Sequence, residues 1–194
     1  METDELDKVI KAAELGDAHA QFLMAGANML SKVYETAIKW YTLAAEQGHD
    51  SAQFDLGVIY DFGTGVSKNP HAAIKWYTLA AEQGHDNAQY NLGVMYANGD
   101  GVPENDKTAV KWFTKAAEQG YAIAQRYLGV LYANGTGVLT SNRHAYMWYN
   151  LASYNGSESA GKNKDEIAKV MTPADISKAQ DMSSVCLESN YTDC

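Results

Sequence analysis

A block of 36 residues recurs through most of this chain of 194 residues, and it constrains the fold more than any other feature. Residues 37–72 and 73–108 are identical at 24 of 36 positions. Four tryptophans recur at the same spacing: Trp40, Trp76, Trp112 and Trp148. A period of this length indicates one supersecondary unit per block, with each unit packed on its neighbours. The pattern predicts a stack of repeats that offers a surface rather than one deep pocket.

Each block is predicted to form two antiparallel helices. In the block that begins at Ala88, apolar residues recur at helical spacing in two successive segments. Gly99 and Gly101 follow the first segment and Gly120 ends the second, where left-handed residues close helices.

The starts of the helices carry capping signals. Asn69 followed by Pro70 is typical of an N-cap with Pro at the first helical position. Asp50 and Asp86, directly after glycines, are predicted to cap the helices that follow them.

Glycines also recur inside the first helix of the blocks, at Gly57, Gly93 and Gly129. A glycine within a helix costs about 0.5–1 kcal/mol relative to alanine. Its return at one position predicts that a close contact between helices compensates for this cost.

Charge and hydropathy limit the classes of partner. The net charge of −9 and the pI near 4.9 disfavour nucleic acid or an anionic lipid surface, since both require clustered Lys and Arg. No run approaches the roughly 18 apolar residues needed to span a bilayer, and we expect no membrane insertion.

The block resembles the Sel1-like repeat, a relative of the tetratricopeptide repeat. The two halves AQFDLGVIYDFGTGV and AIKWYTLAAEQG carry this resemblance, and they recur from Ala88 and from Ala124. The resemblance implies an all-α fold, a right-handed α/α superhelical solenoid in which the A-x-x-x-L-G helices line the concave face. It also implies a non-catalytic adaptor, often secreted or periplasmic in bacteria.

We expect one domain over residues 1–194. Its predicted parts are an N-terminal helix with a shortened first repeat, three full repeats and a C-terminal cap: 1–51, 52–87, 88–123, 124–159 and 160–194. The first repeat lacks the G-x-G-V loop, so its hairpin should be tighter. Thr172 and Pro173 predict a final helix through about Leu187 that covers the end of the stack.

Two patterns could carry chemistry, and neither is complete. Ser159 and Lys162 fit S-x-x-K without an accompanying S-D-N or K-T-G, which makes a penicillin-binding or β-lactamase-like enzyme the alternative hypothesis. The histidines lack metal-ligand spacing, so we interpret them as solvated turn residues and expect no metal or cofactor. They are His19, His49, His71, His85 and His144.

Positions that differ between nearly identical blocks are free to define a partner. Through the family resemblance they map to the concave face, together with the recurring Val58, Val94 and Val130. The predicted partner-binding residues are Ser51, Phe54, Val58, Asp61, Phe62, Asn87, Tyr90, Val94, Ala97, Asn98, Ile123, Arg126, Val130, Ala133 and Asn134. Phe, Tyr and Arg are typical of interface anchors. The alternative is that Phe54 and Tyr90 pack against neighbouring helices.

We therefore predict a monomeric adaptor that binds a protein or peptide, with a basic partner suiting the negative charge. A bacterial envelope, virulence-associated or toxin-immunity role is the expected setting.

The only two cysteines, Cys186 and Cys194, lie together at the end of the chain and are predicted to form a disulfide. Such bonds persist in oxidising compartments, so we expect a periplasmic or secreted protein whose gene encodes a signal peptide. Two free thiols in a cytoplasmic protein are the alternative.

The recurrence of tryptophan yields a first test. Trp76→Ala should lower the free energy of unfolding by about 3–5 kcal/mol, because it truncates a core aromatic side chain. Thermal and denaturant unfolding measure this loss. An unchanged melting temperature would mean that the tryptophans are exposed.

Overall fold

The computed structural model describes residues 2–194, with side chains from residue 5 onward. This part of the chain forms eleven α-helices and contains no strand, which confirms the all-α prediction. The helices are α1 (Glu2–Glu14), α2 (Ala18–Leu30), α3 (Tyr34–Glu46), α4 (Asp50–Phe62), α5 (Pro70–Glu82), α6 (Asp86–Asn98), α7 (Asp106–Ala117), α8 (Ala122–Asn134), α9 (Asn142–Tyr154), α10 (Glu158–Ala168) and α11 (Pro173–Glu188). Within the described residues, no helix has both the length and the apolar character to cross a membrane.

The chain divides into two compact units, Met1–Ala88 and Gln89–Cys194. In the first unit, α2 pairs with α3 and α4 with α5. Its core includes Tyr41, Leu56 and Ile59. In the second unit, α8 pairs with α9, and α9 also packs against α10 and α11.

The two helices of a repeat approach each other where the glycines recur. A Cβ at Gly93 would lie 2.6 Å from Cε1 of Phe113, and Gly57 faces Tyr77 in the same way. The ring of the second helix therefore occupies the space that any other side chain would need. The predicted close contact between helices is confirmed.

A buried glutamine joins successive repeats within each unit. Gln53 Nε2 donates to the carbonyl of Ala45 at 3.0 Å, and Gln53 Oε1 accepts from Gln83 Nε2 at 2.7 Å. In the second unit, Gln125 donates to the Ala117 carbonyl at 3.0 Å. The glutamine thus satisfies a carbonyl at the end of the preceding helix, which would otherwise lack a partner.

The predicted helix boundaries are largely confirmed. Gly99, Gly101 and Gly120 have positive φ, and Asn69 Oδ1 accepts from Ala72 N at 3.1 Å. Residues 31–33 join α2 to α3, whereas residues 63–69 join α4 to α5, so the first hairpin is shorter as expected.

The prediction that Asp50 and Asp86 cap helices is wrong. His49 is the N-cap of α4, and its Nδ1 accepts from Ala52 N at 3.3 Å. His85 Nδ1 accepts from Ala88 N at 3.4 Å in the same way. Asp50 is already within the helix, where its carboxylate accepts from Ser51 N.

The C-terminal segment has one more helix than the sequence predicted. The helix α11 begins after Thr172, whose Oγ1 accepts from Asp175 N at 3.2 Å, and it ends at Glu188 as expected. The helix α10 was not predicted because it buries only Ala160 and carries no apolar stripe. Its N-cap is Ser157.

The tryptophans are not equally buried, contrary to the prediction that they share a core position. Trp76 and Trp148 are buried, whereas Trp40 and Trp112 are half-buried. The Lys115 ammonium lies 4.9 Å from the Trp112 ring centroid. The aromatic residue that follows each tryptophan is buried in every repeat: Tyr41, Tyr77, Phe113 and Tyr149.

The close helix contact yields a test with a matched control. Gly57→Ala should lower the free energy of unfolding by about 1–3 kcal/mol, because its Cβ overlaps the Tyr77 ring. Gly26→Ala should raise it by up to about 1 kcal/mol, since a Cβ there meets only the Tyr41 hydroxyl at 3.9 Å. Denaturant unfolding of both variants checks the difference; equal effects would contradict it.

Candidate interaction site

The predicted binding residues of α4 lie away from its buried side. Ala52, Leu56 and Gly57 face the core, whereas Ser51 and Val58 are half-buried on the other side. Helical periodicity explains this separation, because residues at i, i+3, i+4 and i+7 share one face. We call the predicted partner-binding residues of α4, α6 and α8 the variable face, since most of their positions differ between repeats.

Phe54 and Phe62 have different environments on this face. The Phe54 ring stacks on His85 with 4.5 Å between centroids and lies 5.9 Å from the Tyr77 ring. Phe62, at the end of α4, is 74% exposed. Phe54 therefore supports the fold, while Phe62 presents its ring to solvent.

Asp61 is also half-buried, and its carboxylate lies 3.8 Å from the Lys68 ammonium. Lys68 follows the loop after α4 and is exposed. Because its Lys68 end is exposed to solvent, this ion pair contributes little to stability.

Within α6, Tyr90 belongs to an aromatic cluster. Its ring centroid lies 5.7 Å from that of Phe113 and 5.6 Å from those of Tyr121 and Tyr127. Burial raises the pKa of Tyr90, and its hydrogen bond with Tyr127 raises it further. Tyr90 is thus largely committed to packing.

The other predicted residues of α6 differ in how far they are buried. Asn87 donates to the Asp86 carboxylate at 2.9 Å, and Val94 and Ala97 are half-buried. Asn98 is exposed at the end of the helix.

The predicted residues of α8 include one exposed apolar side chain and one cation. Ile123 is 44% exposed, and the Arg126 guanidinium lies 5.0 Å above the Tyr127 ring. Val130 and Ala133 are half-buried, and Asn134 is exposed. The stacking holds Arg126 in place at low cost in entropy and leaves its donors available.

The interpretation of the histidines as solvated turn residues is wrong for His49 and His85. Besides capping helices, the His49 ring stacks on Phe22 with 4.6 Å between centroids. His85 makes the equivalent stack with Phe54. The described residues hold no group of three or more His, Cys, Asp or Glu arranged to bind a metal.

Sequence reasoning missed Asp55, which lies on α4 beside Val58. The Tyr41 hydroxyl of α3 donates to its carboxylate. Burial raises the pKa of Asp55, while the bond from Tyr41 and the imidazoles of His85 and His49 lower it. The sequence contains a signal for this residue. Asp55 carries a carboxylate, whereas the equivalent positions of the next two repeats are Asn91 and Tyr127.

Two serines bear on the enzyme alternative, Ser159 and Ser141. Ser159 and Lys162 are exposed on α10, and Ser159 Oγ lies 3.3 Å from Ser157 Oγ. Ser141 Oγ lies 2.7 Å from His144 Nδ1, but Ser141 is the N-cap of α9 and accepts from the His144 N–H. Capping accounts for this serine–histidine pair, since Asn69 caps α5 from the equivalent position.

A family model for the Sel1 repeat matches four consecutive segments, residues 12–49, 50–85, 86–121 and 122–157. The last three segments begin with α4, α6 and α8, the helices that carry the variable face. Each segment ends just after the next helix along the chain. Comparison with curated proteins gave no match.

Several solved structures resemble the chain. A Sel1 repeat protein from Oxalobacter formigenes is 38% identical with a TM-score of 0.70, over 74% of this chain and 59% of that one. A protective antigen of uropathogenic Escherichia coli with an SLR fold is 29% identical with a TM-score of 0.57, over 94% and 49%. The chain therefore spans about half to three-fifths of the length of these two proteins.

Cysteine rich protein B of Helicobacter pylori shares the fold at 23% identity, with a TM-score of 0.54 over 66% of this chain and 92% of that one. Together with the four matched segments, these likenesses assign the fold to the helical repeat solenoids. The chain belongs to the Sel1 repeat family.

Proposed function

We propose that the protein is a non-catalytic adaptor that binds a partner protein or peptide through the variable face. Sel1 repeat proteins generally mediate protein–protein interactions, which supports this class of function. The observation that carries the proposal is the division of α4 and α8. Their buried sides repeat Ala, Gln, Leu and Gly, while their other sides differ and include the exposed Phe62 and Ile123.

Phe62, Ile123 and Arg126 are the proposed anchors. Aromatic side chains and arginine are enriched at interfaces, and arginine is among the residues that dominate binding energy there. Ile123 would add the removal of an exposed apolar side chain from water. Phe54 and Tyr90 have a supporting role, because stacking within their own units already buries much of both rings. Alanine at either of these positions would change stability as well as affinity.

Charge supports a basic partner. A net charge of −9 attracts positively charged proteins and accelerates their association at low ionic strength. The same charge opposes binding to nucleic acid. A toxin-immunity protein, which would occlude a basic toxin, is the narrower form of this proposal.

The proposed location is the periplasm or the cell exterior. Cys186 and Cys194 form a disulfide with 4.7 Å between their Cα atoms, and the bridge holds the chain end against α11. Disulfides of this kind persist in oxidising compartments and are rare in the cytosol. The disulfide supports an envelope setting over the cytoplasmic alternative.

The variable face can be tested on a partner recovered by crosslinking in the native host. Phe62→Ala and Arg126→Ala should each weaken the complex by about 1–3 kcal/mol, measured by calorimetry, because each removes an anchor. Leu79→Ala, a partly exposed residue of α5, is the control and should leave affinity unchanged. If both anchor variants bind like the parent, the variable face is not the interface.

The location can be tested by intact-mass measurement on protein from the native source, with and without reductant and alkylating agent. We expect a mass lower by two hydrogens before reduction and no alkylation of Cys186 or Cys194, because the disulfide occupies both thiols. Two alkylated cysteines without reductant would contradict the envelope setting.

The proposal that the protein is not an enzyme can be tested with β-lactam substrates. The purified protein should neither turn over nitrocefin nor be acylated by a fluorescent penicillin. Turnover that disappears in Ser159→Ala would instead establish the enzyme alternative.

A further inference from the structure

A cavity in the first unit lies beside Asp55 and has an unusual lining. Its volume is about 240 Å³, and its walls come from the end of α2, from α3, from the middle of α4 and from the loop after α4. The lining residues are Met29, Tyr41, Asp55, Val58, Ile59 and Thr64. Among these six, Asp55 alone can carry a charge near neutral pH.

The Asp55 carboxylate has unused capacity to accept hydrogen bonds. The Tyr41 hydroxyl donates to it, and the imidazoles of His49 and His85 are the other titratable groups that act on it. No Lys or Arg pairs with Asp55 in the part of the chain whose side chains are described. A carboxylate accepts up to about four hydrogen bonds, so further donors can be placed on it. Burial raises the pKa of Asp55, which means that the cavity disfavours the ionised form as it stands.

We propose that this cavity is a subsite for one cationic side chain, Lys or Arg, presented by a partner protein. The proposal rests on the proposed interaction function and names the chemistry of one contact within it. The alkyl stem of the incoming residue would pack against Met29, Val58 and Ile59. Its ammonium or guanidinium group would donate to the Asp55 carboxylate, forming a partly buried and charge-assisted hydrogen bond.

Size, charge and position favour this occupant. The volume suits a single long side chain rather than a folded element, and the one charged group selects a cation. Val58 belongs both to the cavity and to the variable face, so a partner on that face reaches the cavity. The equivalent position on α8 offers no such subsite, because Tyr127 stands there and its ring stacks on Phe113 at 5.4 Å.

The probes are three capped tripeptides, acetyl-Gly-X-Gly-amide, in which X is lysine, arginine or the uncharged norleucine. Titration of the full chain, followed by amide NMR shifts, should show saturable changes at Asp55, Val58 and Ile59 with lysine or arginine. Norleucine, which lacks the charge, should give none. Affinity should rise with pH through the pKa of Asp55, because the cation binds the ionised carboxylate.

Variants test whether the Asp55 carboxylate is responsible for binding of the charged tripeptides. Asp55→Asn keeps the volume and should weaken binding of the charged tripeptide about tenfold or more. Asp50→Asn removes the same charge from an exposed position at the start of the same helix, outside both the cavity and the variable face, and should change binding less than about twofold. Because the folded-state pKa of Asp55 is raised, Asp55→Asn should melt higher than the parent at neutral pH. That gain should vanish below about pH 4, where the unfolded carboxyl is also protonated.

Three results would overturn the subsite: no saturable shift with either cation, an equal response to norleucine, or unchanged binding in Asp55→Asn. The melting curve shows whether that variant is folded. If the subsite fails while Phe62→Ala and Arg126→Ala still weaken the native complex, the proposed function stands without it. If the subsite binds cations while those two variants have no effect, the cavity binds a cation but the variable face is not the interface, and the proposed function fails.

Discussion

The contact between a helical glycine and an aromatic ring of the next helix controls the geometry of each full repeat. Gly57 faces Tyr77 and Gly129 faces Tyr149, each without room for a Cβ. Interiors are close-packed, so this contact fixes both the separation and the rotation of the two helices. The first repeat carries Ala25 at the equivalent position, buried in the same core cluster as Tyr41, and it also has the shorter hairpin.

A second constraint is polar and joins successive repeats within each unit. Gln53 and Gln125 are buried, yet each donates to the carbonyl that ends the preceding helix and accepts an amide from its own repeat. Leaving such buried groups unsatisfied would cost about 1–3 kcal/mol each. The glutamine therefore sets the register between repeats, while alanines allow the backbones to approach.

These two constraints explain where the chain has freedom to evolve binding. They use one side of α4 and α8, so substitutions on the other side leave the helix positions unchanged. That freedom is partial, because Phe54 stacks on His85 and Tyr90 packs within an aromatic cluster. Asp55 is a different case, because burial disfavours its charge. As part of the proposed cation subsite, Asp55 contributes more to recognition than to stability.

The sequence alone determined the helical repeat, the helix boundaries marked by glycine and proline and the final helix, and it predicted the pairing of Cys186 with Cys194. These features depend on periodicity and on local backbone chemistry, which a repeated sequence displays several times over. Only the tertiary structure decided which side chains meet across repeats. It placed His85 as a cap stacked on Phe54, left Trp112 half-buried and brought Asp55 to Tyr41. Contacts between distant residues depend on the rotation of each helix about its axis and on the distance between helices. The number of residues between two positions in the sequence specifies neither quantity.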